Sequence, residues 1–321
     1  MLDWKPLQLA DRDWIDPLIH ASDFRGCEYS FGTIFLWRHV FHTKVAQLED
    51  RLLLRSGSKG NYSYLFPPGM GDLKGALLAL EEDAKMEEQP FWMHSVNEQS
   101  RAELETLFPG RYLFAPIRSD FDYIYTAQSL AALKGKKLHG KRNHINRFLA
   151  QFENRWSYEP ITPENLPECM LMNQKWCLQN ECTLDESKQR EQCAVKEAFA
   201  NYFDLHLIGG LLRVDQQVVA FTIGEPLNSD TLLVHIEKAF TEYHGAYPMI
   251  NQQFILANGE RFLYVNREDD TGSEGLRKAK LSYHPAFLET KFRVCKESEL
   301  TVLEREKFET GQTLHRERIT V

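Results

Sequence analysis

Residues 264–287 read Tyr-Val-Asn-Arg-Glu-Asp-Asp-Thr-Gly-Ser-Glu-Gly-Leu-Arg-Lys-Ala-Lys-Leu-Ser-Tyr-His-Pro-Ala-Phe and bring acids, glycines and bases together within one turn of chain. The preceding run Phe262-Leu263-Tyr264-Val265 suits a strand, because aromatic and branched residues fit a pleated surface. Asn266, Arg267, Glu268 and Asp269 then stand at its carboxyl end, where open α/β sheets bind their ligands. Gly272 and Gly275 permit a tight turn, and Ser273 offers a cap for the helix that follows. On that helix Arg277, Lys280 and His284 recur at spacings of three and four, so they share a face able to hold an anion. The same residues also read as a solvated turn with local ion pairs, each contributing about 0.2–1 kcal/mol. Residue types alone leave both readings open.

Two further constellations carry chemistry. In the strand Leu232–Glu237, alternation puts Val234 and Ile236 on one side and His235 and Glu237 on the other. A histidine and a carboxylate beside a crevice can orient a nucleophile or take its proton, or form a buried pair. A helix expected over 127–152 carries Lys134, Lys136, Lys137, Lys141, Arg142 and Arg147 with no acid from Lys134 to Arg147. Leu138, Ile145, Phe148 and Leu149 give it an apolar stripe, so its basic face should point outward. That face is either a solvated surface or an anchor for phosphates through Lys137, Lys141 and Arg142. Asn143 and His144 are the members that can instead turn inward.

Several segments together resemble a known family. Gly275-Leu276-Arg277-Lys278-Ala279-Lys280 is similar to the C-terminal signature of the phosphatidylglycerol lysyltransferase C-terminal domain family, soluble branch, which is related to Fem-type aminoacyltransferases. Tyr64-Leu65-Phe66-Pro67-Pro68-Gly69, Asp120–Tyr125 and Lys136–Phe148 extend the resemblance from about Phe24 to Cys295. It implies an α+β fold of two tandem acetyltransferase-like (GNAT) lobes with mixed central sheets. It also implies an acyltransferase whose signature lysine, here Lys280, lies at the reacting ester. An ammonium there would stabilise the oxyanion formed when an amine or hydroxyl attacks an aminoacyl ester, an effect of about 2.7–4 kcal/mol for one well-placed donor. Glu237, Glu268 and Asp269 would orient the acceptor, His235 would assist, and Asn266, Arg267, Gly275 and Arg277 would bind substrate. Ala279 departs from the family, where an aromatic precedes the lysine, so the shape of the acceptor pocket is open.

The elements that must position these groups follow from composition and pattern. The chain has 321 residues, 43% hydrophobic and 26% charged, with a formal charge of −8. That is the profile of an ordinary globular protein with room for two domains. The charge excludes non-specific nucleic-acid binding by the whole surface but not a local basic patch. No apolar run reaches the roughly 18 residues of a membrane span, and Met1–Pro6 lacks a signal-peptide pattern, so a cytoplasmic protein is expected. The six cysteines include no Cys-x-x-Cys pair and are expected as buried thiols rather than a zinc site.

Strand and helix patterns place an N-terminal lobe at 1–126, the connecting basic helix at 127–152 and a C-terminal lobe, expected to be catalytic, at 153–296. A charged tail with an appended helix follows at 297–321. The last strand of the second lobe is expected over Phe287–Cys295, and an apolar helix over residues 30–41.

The resemblance implies aminoacyl-tRNA as donor and a small or lipid-linked molecule as acceptor, with an anionic acceptor allowed. An acyl-CoA enzyme would place a glycine-rich loop before its helix to hold pyrophosphate. This chain has Glu237-Lys238-Ala239-Phe240-Thr241-Glu242-Tyr243-His244-Gly245 there, with one glycine and two acids. In the first half, Pro67 and Pro68 remove backbone donors, so that motif reads as a shape-setting turn. Aminoacyl esters are already activated, so no cofactor, metal or covalent nucleophile is required. Acyl-CoA-dependent N-acylation and a silent anionic-ligand-binding domain remain the alternatives.

Overall fold

The structure is a computed structural model that describes residues 2–300 and Phe308. The expected appended helix and tail fall mainly outside the described residues, although Phe308 itself is buried. The chain divides into two compact units. One holds the residues up to Asp122, 269–274 and the segment from Leu288 onward; the other holds Tyr123–Glu268 and Gly275–Phe287.

In chain order the elements begin with β1 (Lys5–Pro6), α1 (Arg12–Ser22), α2 (Phe31–Trp37), β2 (Lys44–Leu48), β3 (Arg51–Ser58) and β4 (Asn61–Leu65). Next come α3 (Leu73–Met86), β5 (Trp92–Val96), α4 (Glu98–Leu107), β6 (Tyr112–Pro116) and β7 (Asp122–Thr126). The middle of the chain supplies α5 (Ala127–Ala132), α6 (His139–Gln151), β8 (Trp156–Pro160), α7 (Leu166–Gln179), α8 (Glu186–Ala200) and β9 (Ile208–Val214). Then follow β10 (Gln217–Pro226), β11 (Thr231–Ala239), α9 (Ala246–Asn258), β12 (Tyr264–Asn266), α10 (Glu274–Leu281), β13 (Phe287–Glu289) and β14 (Phe292–Lys296).

These strands build two seven-stranded sheets, ordered β1-β2-β3-β4-β5-β14-β6 and β13-β7-β12-β11-β10-β9-β8. Each is mixed: β4 and β5 run parallel in the first, β11 and β12 in the second. The expected α+β class with two mixed sheets is present. β10 and β11 are buried almost throughout because both faces are covered. One cover is α9, which buries Met249, Ile250, Phe254 and Ile255. No helix among the described residues is long and apolar enough to cross a membrane.

Three expectations change. The strand expected over Phe287–Cys295 is two strands in two different sheets, and β14 inserts between β5 and β6 of the first. A lobe running unbroken over 153–296 therefore does not describe the topology. The break falls at Thr290-Lys291, where the Lys291 ammonium lies 2.7 Å from carboxylate oxygens of both Glu28 and Asp122. Alternation in the sequence announces a strand but not the neighbours it pairs with.

The helix expected over 127–152 is the pair α5 and α6, parted where Leu133 and Gly135 take positive φ of 45° and 89°. Arg142 closes that gap by donating through Nη1 to the carbonyls of Leu133 and Gly135. The apolar helix of residues 30–41 stops at Trp37, where Arg38 stacks 3.5 Å above the Phe35 ring.

The prolyl motif of the first half is a turn built around Arg51, whose guanidinium donates to Pro67 O at 2.7 Å and Gly71 O at 2.9 Å. Gly69 has φ 122°, and a Cβ there would stand 2.0 Å from Asp50 O, so glycine is obligatory.

All six cysteines are free thiols. Cys27, Cys169, Cys182 and Cys295 are buried as expected, Cys177 is half-buried, and Cys193 is exposed. Burial pushes the Cys169 thiol up to about 12.

Candidate active site

The site follows from unequal strand lengths in the second sheet. β12 ends at Asn266, opposite Leu233, whereas β11 runs on to Ala239. Among the described residues, the β12 side of β11 therefore has no paired strand beyond Leu233, which is the place where sheets of this kind bind ligands. His235 and Glu237 lie on that stretch of β11, and the chain leaving β12 supplies Arg267 and Glu268.

β11 is bulged here: Ile236 pairs with Ile223 and Val234 with Gly224, so His235 is the extra residue. Gly224 makes the close approach possible, since a Cβ there would stand 2.1 Å from Leu233 O.

Three side chains form the centre. Glu237 Oε1 accepts from Arg267 Nη2 at 2.9 Å, and Glu237 Oε2 accepts from Asn251 Nδ2 of α9 at 2.8 Å. The Arg267 guanidinium also faces two aromatic rings, with its carbon 4.7 Å from the Tyr283 centroid and 5.7 Å from that of Tyr125. Burial pushes both phenols well above their ordinary range. Two atoms of this cluster are buried without a hydrogen-bond partner, the donor Arg267 Nη1 and the acceptor Asn251 Oδ1. Such groups carry a desolvation penalty unless something else meets them.

Lys141 completes the cluster from the first turn of α6. Its ammonium lies 3.9 Å from the Tyr283 centroid. Burial, and next the nearby Arg267 cation, pull its pKa down to about 8, with Glu237 opposing. This amine can therefore lose its proton near neutral pH.

His235 is arranged differently. Its ring is buried between two carboxylates, with Nε2 3.0 Å from Glu225 Oε1 and Nδ1 3.0 Å from Glu268 Oε1. Burial works against the charged ring, but the hydrogen bonds it donates to Glu225 and Glu268 outweigh that and raise its pKa to about 9. An imidazolium held at both nitrogens is a brace for the segment after β12.

Lys280 on α10 donates to the backbone carbonyl of Arg267 at 2.6 Å, and the Tyr125 hydroxyl donates to the carbonyl of Lys280 at 2.8 Å. It thus holds the chain segment that carries Arg267. Asn266 is buried, and its Oδ1 accepts from Glu268 N at 2.7 Å.

The remaining expected residues are spread more widely. Asp269 belongs to the first unit, where its Oδ1 accepts from Thr271 N at 2.8 Å. Gly275 is exposed at the start of α10, Arg277 is half-buried on the same helix, and Lys137 is exposed ahead of α6. Lys141 and Arg142 turn inward, one to Tyr283 and the other to the α5–α6 gap, whereas Asn143 and His144 are exposed. The second unit thus brings together Glu237, Arg267, Lys141, Lys280, His235 and Glu268.

Sequence reasoning missed Tyr125, Tyr283, Asn251 and Glu225. Both tyrosines stand inside the motifs singled out above, so their position was a signal. Asn251 and Glu225 had none, being single polar residues in apolar elements.

Among the described residues, one group has the spacing of a metal site: Cys27, Glu28 and Asp122, all buried in the first unit. The Lys291 ammonium lies 2.7 Å from both carboxylates and 3.4 Å from Cys27 Sγ. A cation is therefore built into that group.

Comparison with known proteins decides the family. The profile of the phosphatidylglycerol lysyltransferase C-terminal family matches residues 20–295, most of the chain. The chain belongs to this family. A solved structure from Bacteroides thetaiotaomicron, titled a conserved protein of unknown function, is 42% identical, with a TM-score of 0.88 over 92% of this chain and 100% of that one. The L-PGS of Bacillus licheniformis shares the fold, with a TM-score of 0.64 at 13% identity over 92% of this chain and 95% of its own. An uncharacterized curated protein of Mycoplasmoides gallisepticum is 27% identical over 181 residues. That match takes in 55% of this chain and spans 56% of the relative's length. The acyltransferase-like relationship expected from the sequence is therefore established at the level of family and fold.

Proposed function

We propose that this family member transfers an aminoacyl group from aminoacyl-tRNA to a small or lipid-linked acceptor, with the chemistry in the second unit. The observation that carries this reading is the buried pair of unmet groups, Arg267 Nη1 and Asn251 Oδ1, with Lys141 in the same cluster. A donor and an acceptor held by one carboxylate suit a substrate that offers a carbonyl oxygen beside an N–H or O–H. An aminoacyl ester meeting an amine or hydroxyl is such a pair.

In this mechanism the acceptor's nucleophile attacks the ester carbonyl, and its proton passes to the neutral Lys141 amine. Negative charge grows on the carbonyl oxygen and is met by Arg267 Nη1, which is held in place before the reaction by Glu237. Collapse breaks the ester bond, and the departing ribose oxygen takes the proton from Lys141. Lys280 acts as a positioning residue through the Arg267 carbonyl. Glu268 and His235 hold the segment from behind.

The alternative donor, acyl-CoA, finds less support. A pyrophosphate needs several free N–H groups at the start of α9. Here Ala246 N–H is spent on Tyr243 O, position 248 is a proline, and Gly245 is packed against the His144 carbonyl.

The test is incubation of the protein with mixed radiolabelled aminoacyl-tRNAs and a cell extract, followed by separation of lipid, peptide and small-molecule products. Label should leave RNA for one of these fractions, and Arg267→Gln should stop it. Label transfer from acetyl-CoA but from no aminoacyl-tRNA would overturn the reading.

A further inference from the structure

The sequence places six bases around α6, and the structure redistributes them. Lys141 and Arg142 are drawn inward, so the phosphate anchor expected at Lys137, Lys141 and Arg142 loses two of its members. The outward charge reappears further along the helix. His144, Arg147 and Gln151 recur at spacings of three and four on one face of α6, where with Ala150 and His244 they line an open groove of about 520 Å³.

His244 joins from the turn before α9. Gly245 is what allows that turn to lie against α6: its φ is 93°, and a Cβ there would stand 2.2 Å from His144 O.

Three features separate this groove from an ordinary solvated face. No carboxylate lines it. Among the described residues, the side chains of His144, Arg147 and His244 make no hydrogen bond or ion pair within the chain. The two histidines stand on two different elements held at a spacing that only glycine permits.

From this geometry we infer that the α6 groove holds the phosphodiester backbone of an RNA, with Arg147 contacting phosphate and His144, His244 and Gln151 donating to its oxygens. Lys137 is exposed ahead of the same helix and adds a second cation near its N-terminal end. The polar character of the lining favours RNA over a lipid surface. An interfacial helix sets large apolar residues beside its cations, whereas Ala150 is the largest apolar residue in this groove, and the exposed positions around it, Asn143, Asn146, Glu153 and Glu242 among them, are polar. The inference rests on the proposed function for the identity of the RNA as the donor's carrier, and concerns where that RNA is held.

The experiment measures fluorescence anisotropy of a labelled RNA hairpin with a single-stranded 3′ end, over a salt series, on the full chain. Arg147→Gln should weaken binding several-fold and reduce the slope of log affinity against log salt by about one. Adding His144→Gln and His244→Gln should weaken it further. Arg267→Gln should bind as the parent does, so a protein that fails to transfer label yet loses RNA with Arg147 would sink the function and keep this site. Equal affinity and equal salt slope in the triple variant, with a native circular dichroism spectrum, would overturn the inference. So would binding of phosphatidylglycerol vesicles that depends on Arg147 while the RNA hairpin is ignored.

Discussion

Each unit of this chain buries charged groups, and the two differ in what surrounds them. In the first unit, Lys291 is surrounded by Glu28, Asp122 and Cys27, with both carboxylates at 2.7 Å. Arg55 likewise meets Asp83 at 2.8 Å, and Tyr64 donates to the same carboxylate. In the second unit Glu237 is fully used, but its two partners keep one unmet atom each, and Lys141 is held with its proton loosely bound. Burial of charge is common to both and so does not mark a site. Unmet atoms also occur in the first unit, at Arg55 Nε and Glu28 Oε2, so what distinguishes the second cluster is an unmet donor and an unmet acceptor on one carboxylate, beside an amine whose proton is loosely held.

Replacing a member of each cluster should separate these roles. Lys291→Ala leaves two buried carboxylates without their cation and should cost roughly 3–5 kcal/mol of stability, read as a lower midpoint in urea. A variant as stable as the parent would show the first cluster to be dispensable for folding and would blur the contrast. Arg267→Gln should instead lower turnover by about a hundredfold to a thousandfold, with a smaller change in the urea midpoint. A loss of folding that matches Lys291→Ala would make the second cluster structural as well.

The His235 brace predicts a pH signature of its own. Its folded pKa of about 9 lies above the ordinary value, so the stabilisation is complete below about pH 6.5 and is lost as pH rises through 9. The amount at stake is roughly 3 kcal/mol. The parent's stability should therefore fall across that window, and a His235→Gln variant should be less stable at pH 6 and flatter above it. Parallel curves for the two proteins would remove the imidazolium from its assigned role.

The smallest effect concerns Lys141. Its folded pKa of about 8 is below that of an unfolded lysine, so its cost to stability is present below pH 8 and fades as pH rises from 8 toward 10.4. Lys141→Met should fold at least as well as the parent at pH 7. In the parent, turnover should climb with pH and level off above about 8, where the amine is neutral, and in the variant that limb should vanish. A rate profile of unchanged shape would assign the proton transfer elsewhere.

Much of the fold was legible because its elements repeat at two simple periods. α3 shows its apolar residues at helical spacing, and β2, β3 and β4 are set apart by short turns. The strand exchange was not legible, since Phe292–Lys296 has the same alternating pattern whichever sheet receives it. The break between α5 and α6 was equally hidden, because the φ of 45° at Leu133 has no sequence mark.

At the candidate site, Arg267 was singled out by its place after a strand, Glu237 by alternation within one and Lys280 by family resemblance. The direction each side chain takes was not. Lys280 points to the backbone carbonyl of Arg267 and Lys141 to the ring of Tyr283, and local spacing announces neither partner.

The exchanged strand has a consequence for biosynthesis. The first sheet has an empty place between β5 and β6 until residues 292–296 arrive, near the end of the described chain. An N-terminal half emerging from the ribosome would expose two open sheet edges, which are templates for unwanted pairing. The contacts that close it join residues about 180–200 positions apart, a separation that slows folding. Expression of either half alone should therefore yield aggregated material, and shortened forms of this protein should keep β14.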